Sequence, residues 1–147
     1  MLKITDGYKK DIDNMVKDLT ERQKLARTQA NKAVTVMAQG METDIKKSMR
    51  DTEVNTLKSY GKHGHHPSVA GDYPAPDTGL LMRSITHSIK QSGDEIRGYT
   101  GSNIIYAKYL EYGTSKMKPR PFLIASKIKL QSWFREVWIK YMEKVIK

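Results

Sequence analysis

Tyr106-Ala-Lys-Tyr-Leu-Glu-Tyr-Gly-Thr-Ser115, followed by Pro119-Arg-Pro-Phe-Leu123, holds a helix, its stop, a basic connection and the entry into another helix. Ile105, Tyr109 and Tyr112 recur at four- and three-residue steps, with Tyr106 and Leu110 beside them, which predicts a short helix over 104–112. Gly113 is placed to supply a left-handed cap. Residues 114–120 read as extended and basic, and Pro121 suits the first position of a helix, where its missing N–H costs nothing. From there to Ile146, Leu130, Phe134, Val137, Trp138, Tyr141 and Val145 form one apolar face. Trp133, Ile139 and Ile146 fall off that face, more apolar surface than one side of a helix can bury.

Upstream, residues 83–91 read as a strand, with Leu81, Ile85 and Ile89 on one side and Ser84, Thr86 and Ser88 between them. Ser92-Gly-Asp is a turn, and 95–101 is a second strand carrying Ile96, Tyr99 and Thr100, in which Gly98 marks a bulge. Residues 58–79 contain four glycines and three prolines and read as a flexible loop. Before it, over 13–49, Ala26, Ala30, Ala33, Val34, Met37, Met41, Ile45 and Met49 make one narrow apolar stripe of a long helix. Gly40 inside it costs about 1 kcal/mol relative to alanine and is a possible site for a kink. The sum is α+β in a single domain, 1–147: long N-terminal helix, small antiparallel hairpin sheet, short helix, C-terminal helix. There are no internal repeats and no heptads long enough for a coiled coil.

Composition narrows the function classes. The 147 residues suit one domain with a real core, and no apolar run approaches the roughly 20 residues of a membrane span. The start, Met1-Leu-Lys-Ile-Thr-Asp-Gly, has no apolar segment of a secretory signal, and cysteine is absent. Net charge is +10, unevenly spread: residues 1–50 carry 11 basic against 7 acidic groups, 51–112 carry 6 against 7, and 113–147 carry 9 against 2. The basic last quarter favours a polyanion or an acidic protein partner.

No constellation for catalysis stands out. Asp94 and Glu95 lie at a turn, Asp11 and Asp13 at a helix start, and no Gly-x-Ser-x-Gly elbow or glycine-rich phosphate loop occurs. His63, His65 and His66 cluster, but Gly64 and Pro67 leave them unorganised, so neither metal nor cofactor is expected. Glu111 reads as a buried acceptor for the Gly113-Thr114 backbone or a partner of Arg120. Tyr106, Tyr109 and Tyr112 mixed with Lys108, Lys116, Lys118 and Arg120 resemble the stacking-plus-phosphate mixture of single-strand binders, although tyrosines at helical spacing more often belong to the core.

Gly71-Asp-Tyr-Pro-Ala-Pro-Asp77-Thr78-Gly79-Leu80, Ser84-Ile85, Tyr106-Ala-Lys-Tyr109-Leu-Glu111-Tyr-Gly113-Thr114 and Pro121-Phe122-Leu123 occur in the order and spacing of a family. They resemble the gene-product-ten-like head–tail joining, or tail-completion, proteins of long-tailed double-stranded DNA phages. The family continues Pro-Ala where this chain has Ile124-Ala125. The resemblance implies a non-enzymatic virion protein of the neck, assembled in the host cytoplasm. It implies a homo-oligomeric ring, most simply sixfold, between connector or adaptor proteins and the tail tube or terminator, around a DNA channel and with no membrane contact. In that setting Trp133, Ile139 and Ile146 are expected between subunits. Lys116, Lys118 and Arg120 are expected to form an adjustable segment facing DNA or an acidic neighbour, and Tyr73 to anchor the 58–79 loop on a partner. The competing reading is a free basic nucleic-acid-binding protein, which would show a steep salt dependence.

Overall fold

The computed structural model describes residues 6–53 and 66–146. Its axis is α1 (Asp6–Arg50), 45 residues and about 68 Å long at 1.5 Å per residue. The helix begins seven residues before the predicted start, because Tyr8 and Ile12 continue the apolar stripe at the same spacing. It runs unbroken through Gly40. A Cβ at Gly40 would lie 2.2 Å from the Cη2 atom of Trp133, so glycine is needed here for close approach of the last helix.

A short helix, α2 (Leu80–Ser84), precedes the hairpin where the sequence suggested strand. Gly79 turns the chain at φ 73°, ψ 7°, and its carbonyl accepts the Arg83 N–H at 3.0 Å. Leu81 therefore reaches the core from a helical turn. The strands β1 (Ile85–Ser92) and β2 (Glu95–Ser102) pair antiparallel from Ile85↔Ser102 to Ser92↔Glu95, in continuous register. Gly93, at φ 56°, is the only one of the two turn residues with positive φ, the pattern of a type II′ turn. The bulge expected at Gly98 is not there: Gly98 pairs in register with Ile89. Its Cβ would come within 2.9 Å of Val34, which lets the hairpin lie directly on α1.

Beyond the hairpin come α3 (Ala107–Tyr112), α4 (Leu123–Lys129) and α5 (Gln131–Ile146). The single last helix starting at Pro121 is thus corrected in two places. It starts at Leu123, since Phe122 keeps a non-helical φ of −127° and a fully buried ring. It also bends at Leu130, where the hydrogen bonds Leu130 N–H to Ser126 O and Phe134 N–H to Leu130 O both persist at 2.9 Å. Trp133 lies over Gly40 while Tyr141 lies beside Thr28, Asn31 and Lys32, so α5 runs antiparallel to α1. The main core gathers Ile45 and Met49 of α1 with Leu81, Ile85, Ala107 and Phe122, so every layer closes on the C-terminal half of α1.

Candidate functional site

The segment from α3 to α4 is organised around one carboxylate. Ala107, Leu110 and Glu111 form the inward face of α3, three and four residues apart, and Glu111 is only 4% exposed. Its oxygens accept the backbone N–H groups of Phe122 at 2.8 Å, Leu123 at 3.0 Å and Ile124 at 2.9 Å. These are orphan donors at the start of α4, which has no cap from its own side chains, so Glu111 serves as a cap supplied from another helix. The buried structural role expected for Glu111 is present, with different partners. The Gly113 N–H goes to Tyr109 O, the Thr114 N–H to Met117 O, and Arg120 turns elsewhere.

Gly113 ends α3 at φ 77°, ψ −176°, an extended conformation open to glycine alone rather than the left-handed cap expected. A Cβ there would meet Met117 O at 2.8 Å and Pro119 N at 2.9 Å. Thr114 then bridges Met117 in both directions, and its Oγ1 accepts the Lys116 and Met117 N–H groups at 3.2 and 3.1 Å. Arg120 is half-buried and donates twice to the Ser68 carbonyl, at 3.2 and 3.1 Å, while the Gly71 N–H donates to Pro119 O at 3.0 Å. The segment expected to be extended is a tight turn, hydrogen-bonded at both ends. Of its three cations only Lys116 and Lys118 are exposed.

Tyr73, expected as an anchor for a partner, is half-buried within the chain. Its hydroxyl shares a hydrogen bond with Ser126 Oγ at 2.9 Å. Ser126 in turn donates to Asp44 at 2.8 Å, and Asp44 also receives Lys129 at 2.6 Å. The Asp44 hydrogen bond, ahead of a smaller opposing effect of burial, raises the Lys129 ammonium above its usual range. This chain joins the loop, α4 and α1 across more than fifty residues of sequence. Residues 58–65 of the loop, with His63 and His65, lie outside the described residues. Among the described residues no group of three or more His, Asp or Glu comes together as metal ligands.

The remaining motif residues also build scaffold. Thr78 Oγ1 accepts the Leu80 N–H at 3.4 Å, Ser84 and Ser102 join their hydroxyls at 2.7 Å across the mouth of the hairpin, and Ile85 is fully buried. Asp77, Thr78, Gly79, Leu80, Met49, Tyr106 and Arg120 line a largely apolar cleft of about 490 Å³, and Pro121 is half-buried. The predicted inward face of α3 is reversed, however. Tyr106, Tyr109 and Tyr112 are exposed, Tyr112 by 74%, together with Ile105, and Lys108 Nζ sits 5.0 Å from the Tyr109 ring centre. On α5 the two tryptophans exchange places: Trp133 packs on α1, Trp138 faces outward, and Ile139 and Ile146 are exposed as expected.

Two features went unread in the sequence. His87 Nδ1 meets Glu42 at 2.5 Å, and Glu42 also pairs with Lys46. Hydrogen bonds from Lys46 first and His87 second hold the Glu42 carboxyl below its ordinary value, against the opposing effect of burial. The second is the exposed apolar stripe of Tyr8, Ile12, Met15, Val16 and Leu19 on the first turns of α1, for which the three- and four-residue spacing was the available signal. No described helix is long and apolar enough to cross a membrane. In comparisons with known proteins, residues 12–113 match the family model described as "Bacteriophage HK97-gp10, putative tail-component". That span takes in most of α1, the hairpin and α3, and stops before α4. No curated protein and no solved structure gives a match.

Proposed function

The chain belongs to the HK97-gp10-like family of bacteriophage tail components, and on that premise we propose that it is a non-enzymatic structural protein of the head–tail junction. In this reading copies assemble in the host cytoplasm into a ring, most simply of six, between connector or adaptor proteins and the tail tube or terminator. The ring encloses the channel through which DNA passes. The observation that carries the reading is the turn at 114–120. Hydrogen bonds of Thr114 and Arg120 tie its two ends, and it presents Lys116 and Lys118 to solvent with no carboxylate partner among the described residues. Two exposed ammonium groups in a chain of net charge +10 suit weak, sequence-independent contact with phosphates or an acidic neighbour. The motif residues around the turn build its support, which is what a structural ring needs.

The test is a phage carrying Lys116→Glu with Lys118→Glu. Heads and tails are expected to accumulate unjoined while the purified variant keeps its far-ultraviolet circular dichroism. Normal titres would sink the reading. The exposed tyrosines beside Lys108 favour one rival, a free single-strand-binding protein. That rival requires a gel shift whose affinity falls steeply with salt and collapses when Tyr109 and Tyr112 become alanine.

A further inference from the structure

The cleft beside the 114–120 turn contains two polar side chains with unused hydrogen-bonding capacity. Its volume of about 490 Å³ lies within the roughly 300–1,000 Å³ of clefts that take ligands. The lining is mainly apolar, with Met82 and Met117 half-buried in it and Leu80 and Tyr106 on its exposed side, 50% and 40% exposed. Arg120 belongs to the same lining and is half-buried. Its Nε and one Nη donate to the Ser68 carbonyl, which leaves three of its five N–H donors without a partner among the described residues. No carboxylate among the described residues lies within ion-pair distance of it. Ser68, also in the lining, is 3% exposed, and its hydroxyl has no hydrogen-bond partner among the described residues.

A guanidinium at the edge of apolar surface tolerates unpaired N–H groups only while water reaches them. An apolar group that fills the cleft expels that water, and stripping an unpaired cation of water opposes binding. The occupant that gains by entering therefore brings a carboxylate of its own, which the planar fork of Arg120 is shaped to hold. The Ser68 hydroxyl is a further donor on the same side. Arg120 and Asp77 cancel in a count of charge over the lining. The selection is made at Arg120 itself, since Asp77 has an interaction of its own and forms no ion pair with it. Lys116 and Lys118, exposed on the same turn, add to the positive field. A nucleic acid would satisfy the cation and leave the apolar floor bare. Leu80 and Tyr106 carry the apolar surface outward past the cleft, which suits a segment of chain rather than a small acid.

We propose that the cleft takes an acidic–apolar peptide segment of a neighbouring virion protein, its carboxylate on Arg120 and the adjoining apolar side chain against Met82 and Met117. The contact gives the acidic neighbour of the 114–120 turn its chemistry, and rests on the proposed function only for the source of that neighbour.

The full chain, labelled at its methionine methyl groups, is titrated by nuclear magnetic resonance with three probes. Two are the peptides acetyl-Leu-Glu-Leu-amide and acetyl-Leu-Gln-Leu-amide, and the third is a short DNA duplex. The acidic peptide is expected to shift the Met82 and Met117 methyls and to leave Met15, on the first turns of α1, unmoved. The glutamine peptide should bind about tenfold more weakly, because it brings no charge to Arg120. Leu80→Asp, at a half-exposed position, should abolish the shifts while circular dichroism stays unchanged; if that variant loses its fold, the peptide pair decides alone. Absent shifts, equal affinity for the two peptides, unchanged binding by a folded Leu80→Asp variant, or the same methyls moving with the duplex would each overturn the proposal. Normal titres of the Lys116/Lys118 phage with the peptide shifts intact would sink the head–tail reading and leave the cleft standing. Unjoined heads and tails without any peptide shift would do the opposite.

Discussion

Replacing Glu111 by alanine removes the acceptor of three N–H groups at once. A hydrogen bond to a charged acceptor contributes roughly 1.5–3 kcal/mol net, and loss of a helix cap costs about 1. The three bonds share one carboxylate, and water can approach Leu123 and Ile124, which are not fully buried. Only the N–H of Phe122, a residue with no solvent exposure, takes the full penalty of an unpaired buried donor. The expected loss is therefore about 3–4 kcal/mol, less than three independent bonds would give. For a chain near 150 residues each kcal/mol moves the melting temperature by roughly 2–4 °C, so the midpoint should fall by about 10 °C. Glu111→Gln keeps the volume and one oxygen but turns an amide donor toward N–H groups, and should lose about half as much. Urea unfolding gives the free energies, and amide exchange at Phe122, Leu123 and Ile124, compared with α5, shows whether the damage starts at the head of α4. If Glu111→Ala costs under about 1 kcal/mol, the carboxylate does not organise this segment and the argument for it as a cap fails.

Gly40→Ala sets helix propensity, a gain of up to about 1 kcal/mol, against overpacking of 1–3 on the Trp133 ring. A net loss of about 1 kcal/mol with a shift in tryptophan emission is expected, and a more stable variant would show that the ring moves aside freely. Gly113→Ala should cost about 3 kcal/mol, read by thermal melting, because its backbone region admits only glycine and the new methyl meets two backbone atoms. The Glu42 carboxyl is held below its ordinary 4.5, so its contribution is complete above that pH and lost as pH falls through the lower folded value. Glu42→Gln should flatten that acid limb of a stability profile. Lys129 is raised above 10.5, so its contribution is complete below that pH and lost as alkali passes the folded value; Asp44→Asn should remove the alkaline limb.

What could be read in advance followed local rules. Period-2 alternation and a glycine turn located the hairpin, and the alanine-rich stripe located α1, because those signals depend on neighbours a few residues apart. Which side of a helix is covered depends on what arrives from far away. Tyr109 and Tyr112 have the spacing of a buried face, yet Ala107 and Leu110 take that place because Glu111 must reach α4. Periodicity puts Trp138 on the apolar face and Trp133 off it, and Gly40, ninety-three positions before Trp133, reverses the two. Glu111 is recognisable as a buried polar group, whereas Arg120 reads as an outward-facing cation; the partners of both lie eleven or more residues away, beyond any capping pattern.

The order in which a ribosome delivers these elements has a consequence. At roughly 5–20 residues per second, α1 is finished several seconds before the α5 that covers Gly40 has been made. During that interval α1 can already receive the hairpin, which docks with Gly98 against Val34. The Asp44–Ser126 and Asp44–Lys129 ties span 82 and 85 positions and wait for α4. A nascent chain stalled before Trp133 would hold the hairpin on α1 with the Gly40 groove open, a state in which a truncated copy would compete for the final helix of a complete one.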